Sequence, residues 1–453
     1  AAAPSQPSQP DGQADQPPAV PPAAVPTAPG PGQQQPAAPP QEEPRELALS
    51  MDDAVAMALK ENARLAIARL EREKARGRIG EAWSTALPNV SGTVTYIRKD
   101  EIVASEIMGM SFAAGDEDNW NAEIAVRQNL SLWTSATAIA VAKMFKDWTE
   151  EFVRDSEQQT VFLTKKLYLD LLLSSTTLER HRQTLALAQE HAGNIKKLRA
   201  QGMATEFDLL RADVEVANIR ALVSQSQNSV NVAMISLVRM LGLRYDAQIV
   251  PTDALDYAPT ETDAEAMVSE ALRQRPDLAQ ALLNVDMQEK NLELIKQQFV
   301  PSLSAQYSYG NERPNRKSSF GEPEWEDYWN FMVVLSYPLF EGGLTLSKYR
   351  KESAVLRQQE LAYHDSVEAA KAETYQAVLG VRDAAEFVES QAENVRQAEE
   401  SVRLAKAGYE SGTNTSLEVL DAQTALSTAR ANYSQAVYAH CVARIALDRA
   451  MGR

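Results

Sequence analysis

The sequence predicts a mixed α and β membrane protein. Four β-strands per chain contribute to a trimeric twelve-stranded transmembrane β-barrel, a long barrel of α-helical coiled-coil hairpins continues it, and the chain is internally duplicated. Three observations lead there. Four segments of roughly ten residues alternate apolar and polar side chains, the length that crosses a bilayer at a tilt. No proline occurs from Asn89 to Val250, and the helical stretches in that interval are far longer than globular helices. Two turns with the same order of residues stand about 210 positions apart, as a duplicated chain requires.

Composition sets the outer limits. Only 19 glycines and 7% aromatics in 453 residues, among long Ala/Leu/Gln/Glu/Arg stretches, mark a helical chain. A net charge of -17 argues against nucleic acid or anionic headgroups as partners and suits a cation-attracting pore. The single cysteine, Cys441, excludes an intrachain disulfide and a cysteine metal cluster, and reads as a lone thiol buried on an Ala-rich helix. No run of about 18 apolar residues is present, so no transmembrane helix is expected. The Ala-Ala-Ala-Pro start has the look of a processed chain.

Taken in order, residues 1–46 form a Pro/Gln-rich tail, expected to be disordered or polyproline-like because 14 of the 22 prolines fall in its first 44 positions without apolar periodicity. A first helix is expected from Leu47 to about Ala86, with Ser50 as N-cap and Pro88 ending it. Val90, Gly92, Val94 and Tyr96 then alternate with polar residues, as do Ile124, Val126, Leu130 and Leu132. The second half repeats this with Leu303, Ala305, Tyr307 and Tyr309, and with Trp329, Phe331, Val333, Leu335, Tyr337 and Leu339. Aromatics at the segment ends, among them Trp120, Trp133, Trp325 and Tyr328, suit an interfacial girdle.

Between the strands, Thr134 to Gln201 and Leu344 to Ser411 each read as one helix of about 100 Å leaving the membrane. Ala204 to Leu241 and Thr415 to Met451 return half that distance. Asp263 to Gln298 and the first helix supply the other halves, with a linker around Gly242 to Thr262. The domains are therefore the tail, a first repeat over 47–262 and a second over 263–453. Each hairpin tip has a glycine suited to left-handed backbone, Gly202 or Gly412, then a capping box, Thr205 with Asp208 or Thr415 with Glu418. Four strands cannot close a barrel, and open edges in lipid leave backbone groups unpaired, so copies must share one. Two copies give too narrow a lumen and three an open one.

This architecture, with Arg275-Pro276-Asp277-Leu278, Tyr337-Pro338-Leu339-Phe340-Glu341-Gly342-Gly343 and the stretch Tyr409 to Ala422, resembles the TolC family of bacterial outer-membrane efflux and secretion channels over about Leu47 to Met451. The resemblance implies a homotrimer in outer-membrane lipid with a large periplasmic portion. It implies a channel of a tripartite efflux pump or type I secretion system, a passive duct from periplasm to cell exterior gated at its periplasmic tip. It implies docking of a periplasmic adaptor at the tips, Gly202, Met203, Gly412 and Thr413, and coupling to an inner-membrane transporter. Glu418 and Asp421 match the acidic pore aperture, where stacked rings select cations. Glu418 has an equally good reading as the capping-box acid. Asp208 and Tyr409 match contacts that tie neighbouring tips. Some members carry a basic residue where this chain has Asn414, which puts a salt-bridged lock there in doubt. The loops 99–119 and 311–327 would lie outside the cell.

Catalysis is not expected. His181, His191, His364 and His440 are scattered singly and read as solvated helix positions, with no metal-ligand spacing, phosphate loop or nucleophile elbow, so no cofactor and no metal are implied. The alternative, a periplasmic coiled-coil adaptor or structural stalk, accounts for the helices but not for four bilayer-length strands.

Overall fold

The computed structural model describes residues 46–100, 104–107, 110–113, 118–314 and 325–453. The tail through residue 45 and parts of the connections between the paired long strands, 315–324 among them, lie outside the described residues.

The first half of the chain runs β1 (Glu46–Leu49), α1 (Met51–Glu61), α2 (Ala63–Ser84), β2 (Asn89–Arg98), a small hairpin of β3 (Ala104–Ile107) and β4 (Met110–Ala113), β5 (Asp118–Asn129), α3 (Leu132–Ala200), α4 (Glu206–Met240) and β6 (Gln248–Pro251). The second half runs α5 (Ala264–Gln274), α6 (Pro276–Gln297), β7 (Ser302–Pro314), β8 (Glu326–Ser336), α7 (Leu344–Glu410) and α8 (Ser416–Ala450).

The four long strands form one antiparallel sheet in the order β2-β5-β7-β8. Its register places each predicted apolar set on the same face. Val90 pairs with Val126, which pairs with Tyr307, which pairs with Phe331; Tyr96 pairs with Trp120; Tyr309 with Trp329; Leu303 with Leu335. Because successive side chains alternate faces, these pairs merge into one apolar surface, and it is solvent-facing in the protomer: Val94 is 71% exposed and Leu335 68%. The opposite face carries Glu123, whose carboxylate accepts from the Tyr328 hydroxyl at 2.9 Å, and Arg127, which donates to Gln306 at 3.0 Å. The Tyr328 ring lies over Gly310, where a Cβ would come within 2.4 Å of it. Val333, 53% exposed and paired with Ala305, sits within the apolar face. Val333→Arg is expected to cost about 2–4 kcal/mol at a midplane site, read as lost insertion and lower melting temperature in detergent; wild-type insertion would remove this face from the lipid.

Strand ends differ from expectation where the chain turns into helix. Leu132 and Trp133 open α3, and Tyr337 and Leu339 lie beyond β8. The helix expected from Leu47 is also different: Leu47 to Leu49 belong to β1, which pairs in parallel with β6, and Asn62 divides the helix in two. Ser50 is the N-cap as expected, and Asp53 completes a capping box with it.

Both long helices are single, of 69 and 67 residues. Their buried positions Thr164, Tyr168, Leu171 and Leu178 on α3, and Thr374, Val378, Val381 and Val388 on α7, follow coiled-coil spacing of four, three and seven. Halfway along α3, Tyr168 is fully buried, donates to Leu49 O at 2.9 Å and accepts from the Asp253 amide at 3.3 Å. Around it Ala54, Ala58, Leu171, Leu237, Leu241 and Ile249 form the main core, joining α1, α3, α4 and β6.

The two halves contain elements of the same lengths: α1 and α5 have 11 residues, α2 and α6 have 22, α4 and α8 have 35. At each interrupted helix, the break residue reaches the end of the returning helix. Asn62, buried, caps α2 with its Oδ1 and donates Nδ2 to Met240 O at 2.9 Å. Arg275 takes the same place before α6, bridging Asp277 at 2.7 Å, Glu373 of α7 at 2.8 Å, and Ala450 O at 3.4 Å. The glycines that end α4 and α8 press on these breaks. Added Cβ atoms would lie 2.7 Å from Glu61 O at Gly242 and 2.8 Å from Arg275 N at Gly452.

Candidate functional site

Each tip is built from two local devices. Gly202 and Gly412 have φ of +76° and +77°, and the following amides reach back five residues, Met203 N to Leu198 O at 2.9 Å and Thr413 N to Gly408 O at 2.8 Å. That is the Schellman arrangement, which satisfies the last carbonyls of a helix. The next helix then starts on a capping box. The Thr205 amide donates to Asp208 Oδ2 at 2.9 Å and the Thr415 amide to Glu418 Oε2 at 2.8 Å. Hydrogen bonds from Thr205 hold the Asp208 carboxyl below its ordinary range.

The second tip carries an additional knot that sequence spacing did not reveal. The Gly408 carbonyl accepts from the Thr413 and Asn414 amides and from the Ser411 and Thr413 hydroxyls, and the Asn414 side chain lies where a Cβ on residue 408 would be, 2.6 Å away. Asn414 is therefore committed within its own tip. A glycine four residues before the tip glycine was the available signal.

Glu418 and Asp421, both exposed, line an open groove of about 1020 Å³ between α7 and α8. Its other wall is one face of α7, with Glu393, Arg396 and Glu400 above a floor of Leu404, Ala405 and Ala422. Arg396 is paired with Glu393, and Glu400 with Arg403 at 2.6 Å, so the cations near the groove are neutralised and the acids of α8 are left dominant. The α7 wall was missed in the sequence, although Glu393 and Glu400 stand one heptad apart. The structure brings Glu418 and Asp421 together. It does not join Asp208, in the first turn of α4, to Tyr409, which is 48% exposed in the last turn of α7. Met203 is 66% exposed and, among the described residues, nothing lies within 4 Å of a Cβ placed on Gly202 or Gly412, so both tips present open turns.

Among the described residues no group of three or more metal-ligating side chains converges, and no helix is long and apolar enough to cross a membrane. One histidine departs from the solvated reading: His440 is fully buried.

Comparison with known proteins bears on the whole chain. It is 25% identical over 393 residues to the outer membrane protein TolC of Vibrio cholerae, covering 84% of this chain and 86% of that protein. It is 27% identical over 281 residues to the outer membrane protein OprJ of Pseudomonas aeruginosa, covering 61% of this chain and 57% of that one. In fold it superposes on the Campylobacter jejuni CmeC outer membrane channel with a TM-score of 0.77, at 17% identity, over 89% of this chain and 85% of the other. The family model described as outer membrane efflux protein matches residues 54–243 and 267–453, most of the chain, and the chain belongs to that family of outer-membrane efflux channels.

Proposed function

We propose that this efflux channel works as a homotrimer whose twelve strands close a barrel in the outer membrane, continued by a periplasmic barrel of the α3–α4 and α7–α8 hairpins. One observation carries the reading: an open-edged four-stranded sheet with a continuous apolar face stands at one end of helices about 100 Å long. A sheet edge in hydrocarbon must be paired, and β2 and β8 are the edges that copies would join. The matched element lengths and matched helix breaks support an internal duplication with repeats at 47–262 and 263–453. The apolar sheet face speaks against the adaptor or stalk reading, which has no use for it. The family is one of transport ducts, not of enzymes, and the duct itself is passive.

The open turns at Gly202, Met203, Gly412 and Thr413 are where a periplasmic adaptor would dock, linking the channel to an inner-membrane transporter. Asp421 and Glu418, lining the groove of the second tip, would stack as acidic rings at the pore aperture, with Asp208 and Tyr409 meeting across neighbouring copies. Opening is the outward movement of the α7–α8 hairpins, favoured by an adaptor that binds the splayed state more tightly.

Planar-bilayer recording of single channels tests the assignment. Asp421→Ala is expected to lower cation selectivity and relieve block by divalent cations. Glu418→Ala is expected to cost about 0.5–2 kcal/mol at the start of α8, because its carboxylate is held by the Thr415 amide, with a smaller change in selectivity. Unaltered selectivity and block in the double variant would remove both residues from the pore.

A further inference from the structure

Residues 252–262, between β6 and α5, lie as an irregular strap on the α7–α8 hairpin. Leu255 and Tyr257 pack against Val388, Ala436 and Val437. Arg382 of α7 holds the strap's end through the Thr262 hydroxyl at 2.8 Å and carbonyl at 2.6 Å, and the Cys441 thiol contacts Asp256 O at 3.7 Å. Under the strap His440 of α8 is 0% exposed, the Tyr257 ring stands edge-on to it at 4.9 Å, and neither ring nitrogen has a hydrogen-bond partner among the described residues. A segment from the first repeat thus braces the hairpin of the second over an unsatisfied imidazole.

We propose that the strap is an acid-released brace: protonation of His440 requires water at its ring, water reaches the ring only when Tyr257 lifts away, and acidification therefore frees the α7–α8 hairpin.

The surroundings favour that outcome. The ionisable groups on the elements packed around His440 and Tyr257 are Asp256 and Tyr257 of the strap, Glu389 of α7, and Tyr433, Cys441 and Arg444 of α8. Glu389 acts on Tyr257, and Asp256 offers Cys441 its main-chain carbonyl. The charge felt by the imidazole is that of Arg444, which opposes a second cation. Burial, and secondarily Arg444, hold the His440 pKa below the ordinary histidine value. The sign follows from linkage. A histidine whose folded pKa is depressed contributes a closed state that is fully held above the ordinary pKa, about 6.5, and weakens as pH falls below it. The open-to-closed ratio then rises with a slope that approaches about tenfold per pH unit between the ordinary pKa and the folded one.

Cys441, the only cysteine, is a built-in probe because it sits half-buried beside the same strap. The full-length protein in detergent is treated with a dipyridyl disulfide, which reacts with thiols in acid, and each rate is divided by that of free cysteine at the same pH. The normalised wild-type rate is expected to rise by up to about tenfold between pH 7.5 and pH 5.5, whereas His440→Phe, which keeps a ring without a titrating nitrogen, stays flat. A flat wild-type profile, or an equal rise in His440→Phe, overturns the proposal. Tyr257→Ala is the second variant should the phenylalanine not be tolerated in the core. It is expected to react at pH 7.5 as fast as wild type does at pH 5.5 and to show little further rise; retention of the wild-type profile overturns the proposal as well.

Discussion

Replacing Arg275 with alanine is expected to lower stability by about 2–4 kcal/mol at neutral pH. Breaking a buried pair by removing one partner costs 3–5 kcal/mol, and the lower range applies because Asp277 and Glu373 are 47% and 58% exposed. The guanidinium, only 12% exposed, joins α6, α7 and the end of α8 at once, and its loss removes packing as well as charge. The pH dependence identifies the mechanism. Burial pushes the Asp277 carboxyl up, but hydrogen bonds and charge from Arg275 prevail and hold it below the ordinary range. That contribution is present above the unfolded carboxylate pKa and lost as pH falls through the folded one. Asp155 of α3, raised by burial and held down by Arg449 and Arg275, would rise further in the variant. The gap between wild type and Arg275→Ala should therefore be widest at neutral pH and narrow towards pH 4. Melting curves across that range check it, and a gap independent of pH would mean that packing alone was lost. Arg275→Lys should recover only part of the loss, since an ammonium cannot fork to two carboxylates.

Gly242→Ala is expected to cost about 2–5 kcal/mol, combining about 1–2 for left-handed backbone with about 1–3 for overpacking. Here φ is +69° and the new methyl meets the Glu61 carbonyl, a backbone atom that cannot swing aside. Gly412→Ala is the control. It has the same backbone hand, φ +77°, but nothing within 4 Å, so only the conformational term of about 1–2 kcal/mol remains. Melting temperatures of the two variants measured side by side separate close packing from backbone strain; equal losses would show that the contact with Glu61 is unimportant.

What could be read from sequence and what could not divides along sequence separation. The caps at Ser50, Thr205 and Thr415 are written within four residues, and each forms where expected. The apolar face of the sheet was legible because period two makes Val90, Ile124, Tyr307 and Val333 face one way as soon as their strands pair. The β1–β6 pair was not: each strand has four residues and its partner is some 200 positions away, with no local signal for either. The break at Arg275 had a signal in Pro276, which pushes its predecessor to extended backbone, here φ −66° and ψ 120°. Asn62 has no such proline, and its break depends on Met240, far along the chain. His440 looked solvated because the strap that covers it, with Tyr257, comes from a distant part of the chain. At the tip, the capping box at Thr415 and Glu418 was legible from its spacing, Asp421 was singled out by the family resemblance alone, and the α7 wall of the groove required the hairpin to close.

The unpaired outer strands β2 and β8 have a genetic consequence. In the proposed trimer each edge must be met by the edge of another copy, so a chain with a spoiled β2 would consume sound partners in assemblies that cannot close. Alleles damaged there would act dominantly over wild type, while alleles that prevent folding altogether would be recessive, because their products never reach the sheet.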